Sequence, residues 1–510
     1  MTEHNDKSVS TNDTKQLGMF AALASLSYVF WICGGMELIE RLAYYGVKAT
    51  ATLYAKDPVS KGGLGINLNE FGTILMVWAL IQSFVPVFSG GLSDRYGYKQ
   101  TIFASTVIKI LGYLIMGFFP TYWGFFAGAV VLATGTGIFK PGIQGTLVKT
   151  TNRKNSSMAW GVFYQTVNIG GWMGPLVAAQ LRLLAWENVF FACAGIISIN
   201  FLFLMMYKEP GKQKRLDEAQ QKRESGEISK PLWKEALHEL KNPVLVYYMI
   251  IFSGFWFMFN ALFDVLPAHI DDWIDTSTII QDLFGASGTT SSFWHFLFGM
   301  NSDHSISPEG LLNLNAGLIM LTCFLFAALS AKMRAPTSML VGTILATAAL
   351  FLIGSFNWAW FMVISILIFS IGEMLSSPKS SEFIGNIAPP EKTAMYLGFT
   401  QLPLGIGWTL EAKIGPSLYH AFASKDSFSR DLLVDKGMAQ NLVEQIPQGE
   451  AFDKLVEFTQ LPASQLTQTL YDSHNIGVVW YIMGGIGVIT CIGMFYYARW
   501  IYSMHKQQIA

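Results

Sequence analysis

Long apolar stretches dominate the chain and alternate with short polar segments. A helix needs about 20 predominantly apolar residues to cross a bilayer, and twelve stretches approach or exceed that length. They cover residues 21–55, 68–92, 101–119, 122–148, 157–180, 188–207, 244–268, 311–333, 337–355, 358–378, 394–420 and 476–503. The pattern therefore predicts an all-α integral membrane protein with twelve transmembrane helices.

One charged segment divides these stretches into two sets of six, which predicts two six-helix halves joined by a linker. The first residues carry several charges before any apolar run, so we expect no cleavable signal peptide. A long polar segment before the last stretch is predicted to lie outside the cell. The predicted parts are a tail 1–20, a first half 21–207, a linker 208–243, a second half 244–503 with the extracytoplasmic loop 423–475, and a tail 504–510.

Lysine and arginine concentrate in the short loops on one side of the predicted helices. Segment 271–310, on the other side, has six acidic residues and no Lys or Arg. Short cytoplasmic loops carry the excess of basic residues, so both termini are expected in the cytoplasm. The expected location of the chain is a cell membrane, the inner membrane of a bacterium. We call the opposite side the predicted outer end. The basic loop residues are Arg95, Lys99, Lys149, Arg153, Lys154, Lys332, Arg334, Lys379 and Lys392.

The composition excludes several classes of protein. Charged residues make up 14% of the chain and the net charge is −1, whereas soluble proteins have about 25% charged residues. A soluble enzyme, a disordered protein and a nucleic-acid binder are therefore excluded. The chain also lacks a zinc-protease, serine-hydrolase or ATP-binding motif. We expect no enzyme activity and no cofactor, and an ion gradient as the energy source.

The first predicted helix holds a dense stripe of charges. Glu37, Arg41 and Lys48 recur at helical spacing, and Glu40 lies beside them. Charged groups in hydrocarbon are costly unless they are paired or face water, so the stripe indicates a water-filled cavity. Two carboxylates near a guanidinium also form a coupled titrating set that can hold or release a proton. The alternative is a permanent salt-bridge knot that locks the helix.

The turn between the second and third predicted helices resembles the Gly-x-x-x-Asp-Arg-x-Gly-x-Lys loop of the major facilitator superfamily. Glycines permit a tight turn there, and the charged residues can pair with neighbouring helix ends. The resemblance implies the major facilitator fold, whereas the alternative is a basic turn that only sets topology. The matching residues are Gly90, Asp94, Arg95, Gly97 and Lys99.

Four further segments resemble motifs of the proton-dependent oligopeptide transporters, a family of peptide symporters within that superfamily. The resemblance touches both halves and is densest in the first. The segments are Glu37-x-x-Glu40-Arg41 followed by Tyr44-Tyr45-Gly46, Gly135-Thr136-Gly137-Ile138-Phe139-Lys140-Pro141, Phe163-Tyr164-x-x-Val167-Asn168-Ile169-Gly170, and Gly372-Glu373-Met374-Leu375-Ser376-Ser377-Pro378.

The resemblance implies a role for each matching residue. Proton coupling falls to Glu37, Glu40 and Arg41, and a peptide would place its carboxylate near Lys140 and Arg41 and its ammonium near Glu373. Four of the implied substrate residues have a structural alternative: Lys140 could be a helix-end lysine, Asn168 could form an interhelical hydrogen bond, and Trp256 and Trp408 could be simple packing residues. The implied substrate residues are Arg41, Tyr45, Lys140, Asn168, Glu373, Asn260, Trp256 and Trp408.

The seventh predicted helix departs from the family pattern, because Asn260 stands where members usually have a glutamate that closes an outer gate. Asp264 lies one turn further along the same face, and the partner on the first helix is Lys48 instead of arginine. We predict that the gate has moved one turn, with Asp264 closing on Lys48; the alternative is a solvated aspartate. Glu411 and Lys413 have either an outer-gate role or a solvated helix-end role.

Taken together, the sequence predicts a proton-coupled symporter that imports di- and tripeptides or similar small zwitterions by alternating access. Protons are the expected coupling ion, the bilayer and a small-molecule substrate are the expected partners, and we expect the chain to act as a monomer. Two alternatives stay open. One is a proton-coupled transporter of the same fold for another solute such as an organic anion, and the other is a non-transporting membrane sensor.

Overall fold

A computed structural model describes residues 19–151, 155–213, 216–217, 238–301, 303–330, 332–388, 396 and 398–509. Twelve long helices, numbered α1 to α12, account for most of this part of the chain. They are α1 Tyr28–Lys56, α2 Leu68–Tyr96, α3 Tyr98–Phe118, α4 Tyr122–Thr150, α5 Ser156–Arg182, α6 Trp186–Met206, α7 Pro243–Asp264, α8 Pro308–Ser330, α9 Ala335–Ser355, α10 Ala359–Ile387, α11 Gln401–Ala423 and α12 Val478–Ile509.

The all-α integral membrane fold is confirmed, since the described residues contain no β-strand. Helices α2, α3, α4, α6, α7, α9, α10 and α12 are long and apolar enough to cross a membrane by length and composition. Of the other four, α1, α8 and α11 carry buried charged or amide side chains, and α5 carries the half-buried Asn168 and Arg182. Twelve crossings therefore stays a prediction, but the chain is a multi-pass membrane protein.

Several observed helix ends differ from the predicted ones. The first stretch, 21–55, is interrupted because Ser27 caps α1, its Oγ accepting a hydrogen bond of 3.3 Å from the Phe30 amide. Helix α6 has a one-residue break at Ile199. A short helix, Leu266–Trp273, follows α7 after Val265. Most of the predicted linker 208–243, like the first 18 residues, lies outside the described residues.

The glycine-containing loop motif joins α2 directly to α3. Gly97 alone separates the two helices and has a φ of 105°, a left-handed conformation that glycine adopts without strain. The Lys99 Nζ donates a hydrogen bond of 3.0 Å to the backbone oxygen of Tyr207 at the end of α6, so this basic residue does pair with a helix end. The side chains of Asp94 and Arg95 lie outside the described part, and Gly90 lies within α2.

The two halves meet along two seams, α2 against α11 and α5 against α8. Within the first half, α1 packs closely on α5 because α5 presents two glycines to it. A Cβ atom on Gly174 would lie 2.5 Å from the Leu42 backbone oxygen, and one on Gly170 would lie 2.7 Å from the Arg41 Cβ. This close approach brings the charged stripe of α1 beside Asn168 of α5.

The predicted extracytoplasmic loop 423–475 is folded. It contains the helices Lys425–Asp435, Gln440–Val443, Ala451–Thr459 and Ala463–Ser473, which cover the predicted outer end of the bundle. An exposed ion pair of 2.8 Å joins Asp453 to Lys61 of the first half, and the Phe428 ring centroid lies 6.3 Å from that of Trp273 in the second half. The loop thereby contacts both halves and encloses a surface cavity of about 200 Å³.

A glycine substitution tests the crossing of α1 and α5. Gly174→Ala should lower the thermal unfolding midpoint of the purified protein, because its Cβ meets backbone and overpacking costs about 1–3 kcal/mol. Gly195→Ala is the matched control, since a Cβ there has no neighbour within 4 Å and alanine favours a helix by about 1 kcal/mol. Equal midpoints for the two variants would contradict this account of the crossing.

Candidate functional site

A buried ion-pair network occupies the middle of α1. The Arg41 Nε lies 2.8 Å from Glu37 Oε1 and 2.8 Å from Glu40 Oε2, and all three residues are at most 7% exposed. The contact with Glu37 has hydrogen-bond geometry. Neither Glu40 oxygen has a hydrogen-bond partner in the described part, so Glu40 is held by charge alone. The structure thus brings the three predicted proton-coupling residues together.

Lys109 of α3 is a member of this network that the sequence analysis missed. Its Nζ lies 3.5 Å from Glu40 Oε1 and 3.6 Å from the ring centroid of Phe139, and the residue is fully buried. A lysine in the middle of an apolar stretch is itself a signal of function. It was overlooked because it belongs to none of the recognised motifs.

Lys140 of α4 is a third cation near the α1 network, after Arg41 and Lys109. The residue is half-buried, and its ammonium is within electrostatic range of Arg41, Glu37 and Glu40. Within the described residues it has no ion pair as short as 4 Å. Three cations therefore surround two carboxylates, which leaves an excess of one positive charge when all five groups are ionised.

A cavity of about 50 Å³ lies between the two halves. Three predicted substrate residues, Tyr45, Asn168 and Glu373, line it together with amide and aromatic side chains of α7 and α8. Glu373 Oε2 accepts a hydrogen bond of 3.0 Å from the Asn315 Nδ2, which fixes the carboxylate on the side opposite the cationic network. The cavity is thus lined by a carboxylate of the second half, and Tyr45 on its first-half side is within electrostatic range of Arg41.

Other predicted substrate residues lie away from this cavity. The Asn260 Nδ2 donates a hydrogen bond of 2.8 Å to the Trp256 backbone oxygen one turn earlier. Trp256 packs among aromatic rings of its own helix, including Phe255 at 5.5 Å between centroids. Arg41 and Lys140 are also outside the cavity lining, and Trp408 lies nearer the predicted outer end.

Trp408 belongs to a buried group that we call the outer cluster, formed by Lys48, Asp264, Trp408 and Glu411. The Lys48 Nζ forms an ion pair with Asp264 Oδ1, and the Trp408 Nε1 donates to Asp264 Oδ2 at 2.9 Å. The Lys48 Nζ also lies 4.4 Å from the Trp408 ring centroid. The predicted contact between Lys48 and Asp264 is present, and it joins α1 to α7 across the two halves.

Glu411 and Lys413, for which the sequence left two roles open, point in different directions. Glu411 is fully buried and lies against the Asp264 carboxyl group, so it is not a solvated helix-end residue. The Lys413 Nζ donates hydrogen bonds of 2.9 Å to Asn69 Oδ1 and 3.0 Å to Thr73 Oγ1 on α2. Only the first of the pair joins the outer cluster.

A second ion pair joins the two halves at the same end of the bundle, on the seam between α5 and α8. The Arg182 Nε of α5 lies 2.7 Å from Glu309 Oε1 of α8, and Glu309 is fully buried. The sequence analysis missed this pair because the two residues lie 127 positions apart. With α1 joined to α7 and α5 joined to α8 by ion pairs between the halves, the cavity is closed toward the predicted outer end.

The sequence profile of the Major Facilitator Superfamily matches residues 38–412. The chain belongs to this superfamily. The matched region includes the cavity, Glu411 and all of the α1 network except Glu37. The proteins that resemble this chain in family and in fold are transporters, not enzymes.

Individual relatives are distant. The chain is 24% identical over 250 residues to a di-/tripeptide transporter of Lactococcus lactis subsp. lactis, covering 48% of each chain. It is 20% identical over 361 residues to the multidrug resistance protein MdtH of Photorhabdus laumondii, covering 70% of this chain and 77% of that one. The chain spans about a third to a half of the curated peptide transporters it matches.

A solved structure shares the fold. A POT family transporter in complex with a thioalcohol-conjugated peptide superposes with a TM-score of 0.66 and 14% sequence identity, over 94% of this chain and 99% of that one. At this identity the likeness shows the fold, and the roles of individual residues rest on the geometry described above.

The outer cluster predicts unequal effects for its two ion-pair partners. Lys48→Gln leaves two buried carboxylates without a cation, and breaking a buried pair in this way costs about 3–5 kcal/mol. Asp264→Asn should cost less, because Glu411 remains within electrostatic range of the ammonium. The double variant should be no less stable than Lys48→Gln alone.

Thermal unfolding of the purified variants measures these effects. Lys413→Gln is the control, because that lysine also carries a charge and joins the two halves but bonds only to neutral groups on α2. Strictly additive losses for Lys48→Gln and Asp264→Asn would show that the two side chains are not energetically coupled.

Proposed function

We propose that the chain is a proton-coupled symporter that imports di- and tripeptides or similar small zwitterions by alternating access. The observation that carries this proposal is the separation of charge across the cavity. Arg41, Lys109 and Lys140 exceed the two carboxylates of the α1 network by one charge, and Glu373 lines the cavity from the second half. A molecule with a carboxylate at one end and an ammonium at the other complements this arrangement.

The cavity residues support an orientation for such a substrate. Its carboxylate would lie toward Arg41 and Lys140, and its ammonium toward Glu373. Tyr45 lines the cavity and is within electrostatic range of both Arg41 and Glu373, so its hydroxyl is placed to contact the middle of the substrate. The likeness to di-/tripeptide transporters is consistent with a peptide in this position.

The α1 network supplies a mechanism for coupling to protons. Arg41 serves two carboxylates at once, Glu37 and Glu40. A substrate carboxylate that binds Arg41 weakens its hold on them, and a buried carboxylate that loses its cation gains affinity for a proton. Proton binding and substrate binding then favour one another. Protons are the only coupling partner in this proposal, and no cofactor is required.

Alternating access would require two contacts between the halves to open and close. In the closed arrangement described here, the outer cluster and the pair of Arg182 and Glu309 hold the halves together at the predicted outer end. Both pairs must separate to admit a substrate from outside. The proposal also includes a cell membrane location with both termini in the cytoplasm, and a monomer as the working unit.

The excess positive charge also favours a second candidate, a proton-coupled transporter of a small organic anion. An anion without an ammonium group would neutralise the surplus cation of the first half and leave Glu373 hydrogen-bonded to Asn315. The two candidates differ in whether Glu373 contributes to substrate affinity.

The proton-coupling role is tested with Glu40→Gln. The variant should lose accumulation driven by a pH gradient in proteoliposomes, because the network can no longer exchange a proton at this position, while substrate exchange without a gradient continues. Glu382→Gln is the control, since Glu382 forms an ion pair of 2.7 Å with Lys379 outside the network. Undiminished accumulation by Glu40→Gln would remove Glu40 from the coupling mechanism.

The substrate orientation is tested by removing a charge from the protein in one experiment and the matching charge from the peptide in another. Glu373→Gln should weaken dipeptide binding about tenfold or more, since a charge-assisted hydrogen bond contributes about 1.5–3 kcal/mol. An N-acetylated peptide should bind the variant and the unmodified protein equally weakly. Lys140→Gln should show the same pattern with a C-terminally amidated peptide. Calorimetry measures both series, and binding of anions alone would favour the second candidate.

A further inference from the structure

The outer cluster contains one cation and two carboxylates. Lys48, Asp264 and Glu411 are each at most 4% exposed, so water does not screen their charges. With every group ionised, the cluster would carry one uncompensated negative charge in a low-dielectric interior, which is costly. One additional proton would make the cluster neutral.

The hydrogen bonds indicate where that proton belongs. Both Asp264 oxygens already accept from donors, namely the Lys48 ammonium and the Trp408 indole. Neither Glu411 oxygen has a hydrogen-bond partner within the described chain, although both are buried. Glu411 lies within hydrogen-bonding range of the Asp264 carboxyl group, but two ionised carboxylates are acceptors only. A proton on Glu411 would supply the missing donor.

The surroundings of Glu411 are built to hold its carboxyl group. Glycine at position 415 leaves room for it, because a Cβ there would lie 2.2 Å from Glu411 Oε1. The charges that act on Glu411 from the described residues are Asp264 of α7 and Lys48 of α1. On its own helix, Lys413 points away toward α2, where it bonds to neutral groups. No second cation therefore replaces the proton.

We propose that Glu411 and Asp264 hold one proton between them while the outer cluster is closed, as a second proton-binding site distinct from the α1 network. The inference deepens the proposed function and rests on it. Closing the cluster takes up one proton from the outer side onto a Glu411 oxygen. Opening separates α1 from α7 and α11, admits water, and returns that proton to it.

Infrared spectroscopy of the purified protein near neutral pH tests the proposal without a transport assay. Glu411→Gln should lose one carboxylic acid carbonyl band relative to the unmodified protein, and its amide can still donate to Asp264. Asp264→Asn should lose the same band, because Glu411 then pairs with Lys48 as a carboxylate. Glu309→Gln is the matched control and should keep the band, since Glu309 is equally buried and has its own cation in Arg182.

A second measurement detects the same proton through the pH dependence of stability. The thermal unfolding midpoint of the unmodified protein should fall as pH rises through the neutral range, because the folded cluster retains a proton that the same carboxyl group loses on unfolding. This fall should be smaller in Glu411→Gln. An unchanged band in Glu411→Gln, or an equal loss in Glu309→Gln, would overturn the inference.

The two proposals fail in distinguishable ways. Uptake that is driven by a pH gradient in a protein without the Glu411-dependent band would overturn the second proton site alone. A Glu411-dependent band in a protein whose uptake ignores the pH gradient would show that the outer cluster holds a proton, and would overturn proton coupling as the proposed function.

Discussion

The cost of an isolated charge in hydrocarbon is the constraint on which the structure depends. Each buried ionisable group described above lies beside a group of opposite charge or within electrostatic range of one, apart from Glu373, which lies on the cavity and accepts a hydrogen bond from Asn315. The helices that carry these groups must remain close enough to compensate them. The ion pairs therefore determine which helices approach one another, and where the bundle can open.

Helix α1 connects the two charged regions. Arg41 of the central network and Lys48 of the outer cluster are seven residues apart, or about 10 Å along the helix. The glycine-mediated crossing with α5 holds this segment against the first half. A movement of α1 that breaks the pair of Lys48 and Asp264 would also displace Glu40 from Lys109 of α3. Events at the outer end and at the cavity can thus influence one another through one rigid helix.

The two regions solve the charge problem in different ways. The α1 network has more cations than carboxylates and lies within electrostatic range of Tyr45 in the cavity lining, so an incoming anionic group can complete it. The outer cluster has more carboxylates than cations and is closed to water, so a proton can complete it. Substrate and proton would then neutralise opposite imbalances in one protein, and both must be satisfied before the halves close around the cavity.

The sequence by itself determined the helical membrane fold and the stripe on α1, and the family resemblance predicted the pairing of Asp264 with Lys48. Apolar length and helical spacing are local properties, and the penalty for a lone charge identifies groups that need partners. Only the tertiary structure showed that Lys109 joins Glu40, that Arg182 pairs with Glu309, and that Glu411 is buried against Asp264. These contacts depend on which faces of distant helices meet, and no local window of sequence contains that information.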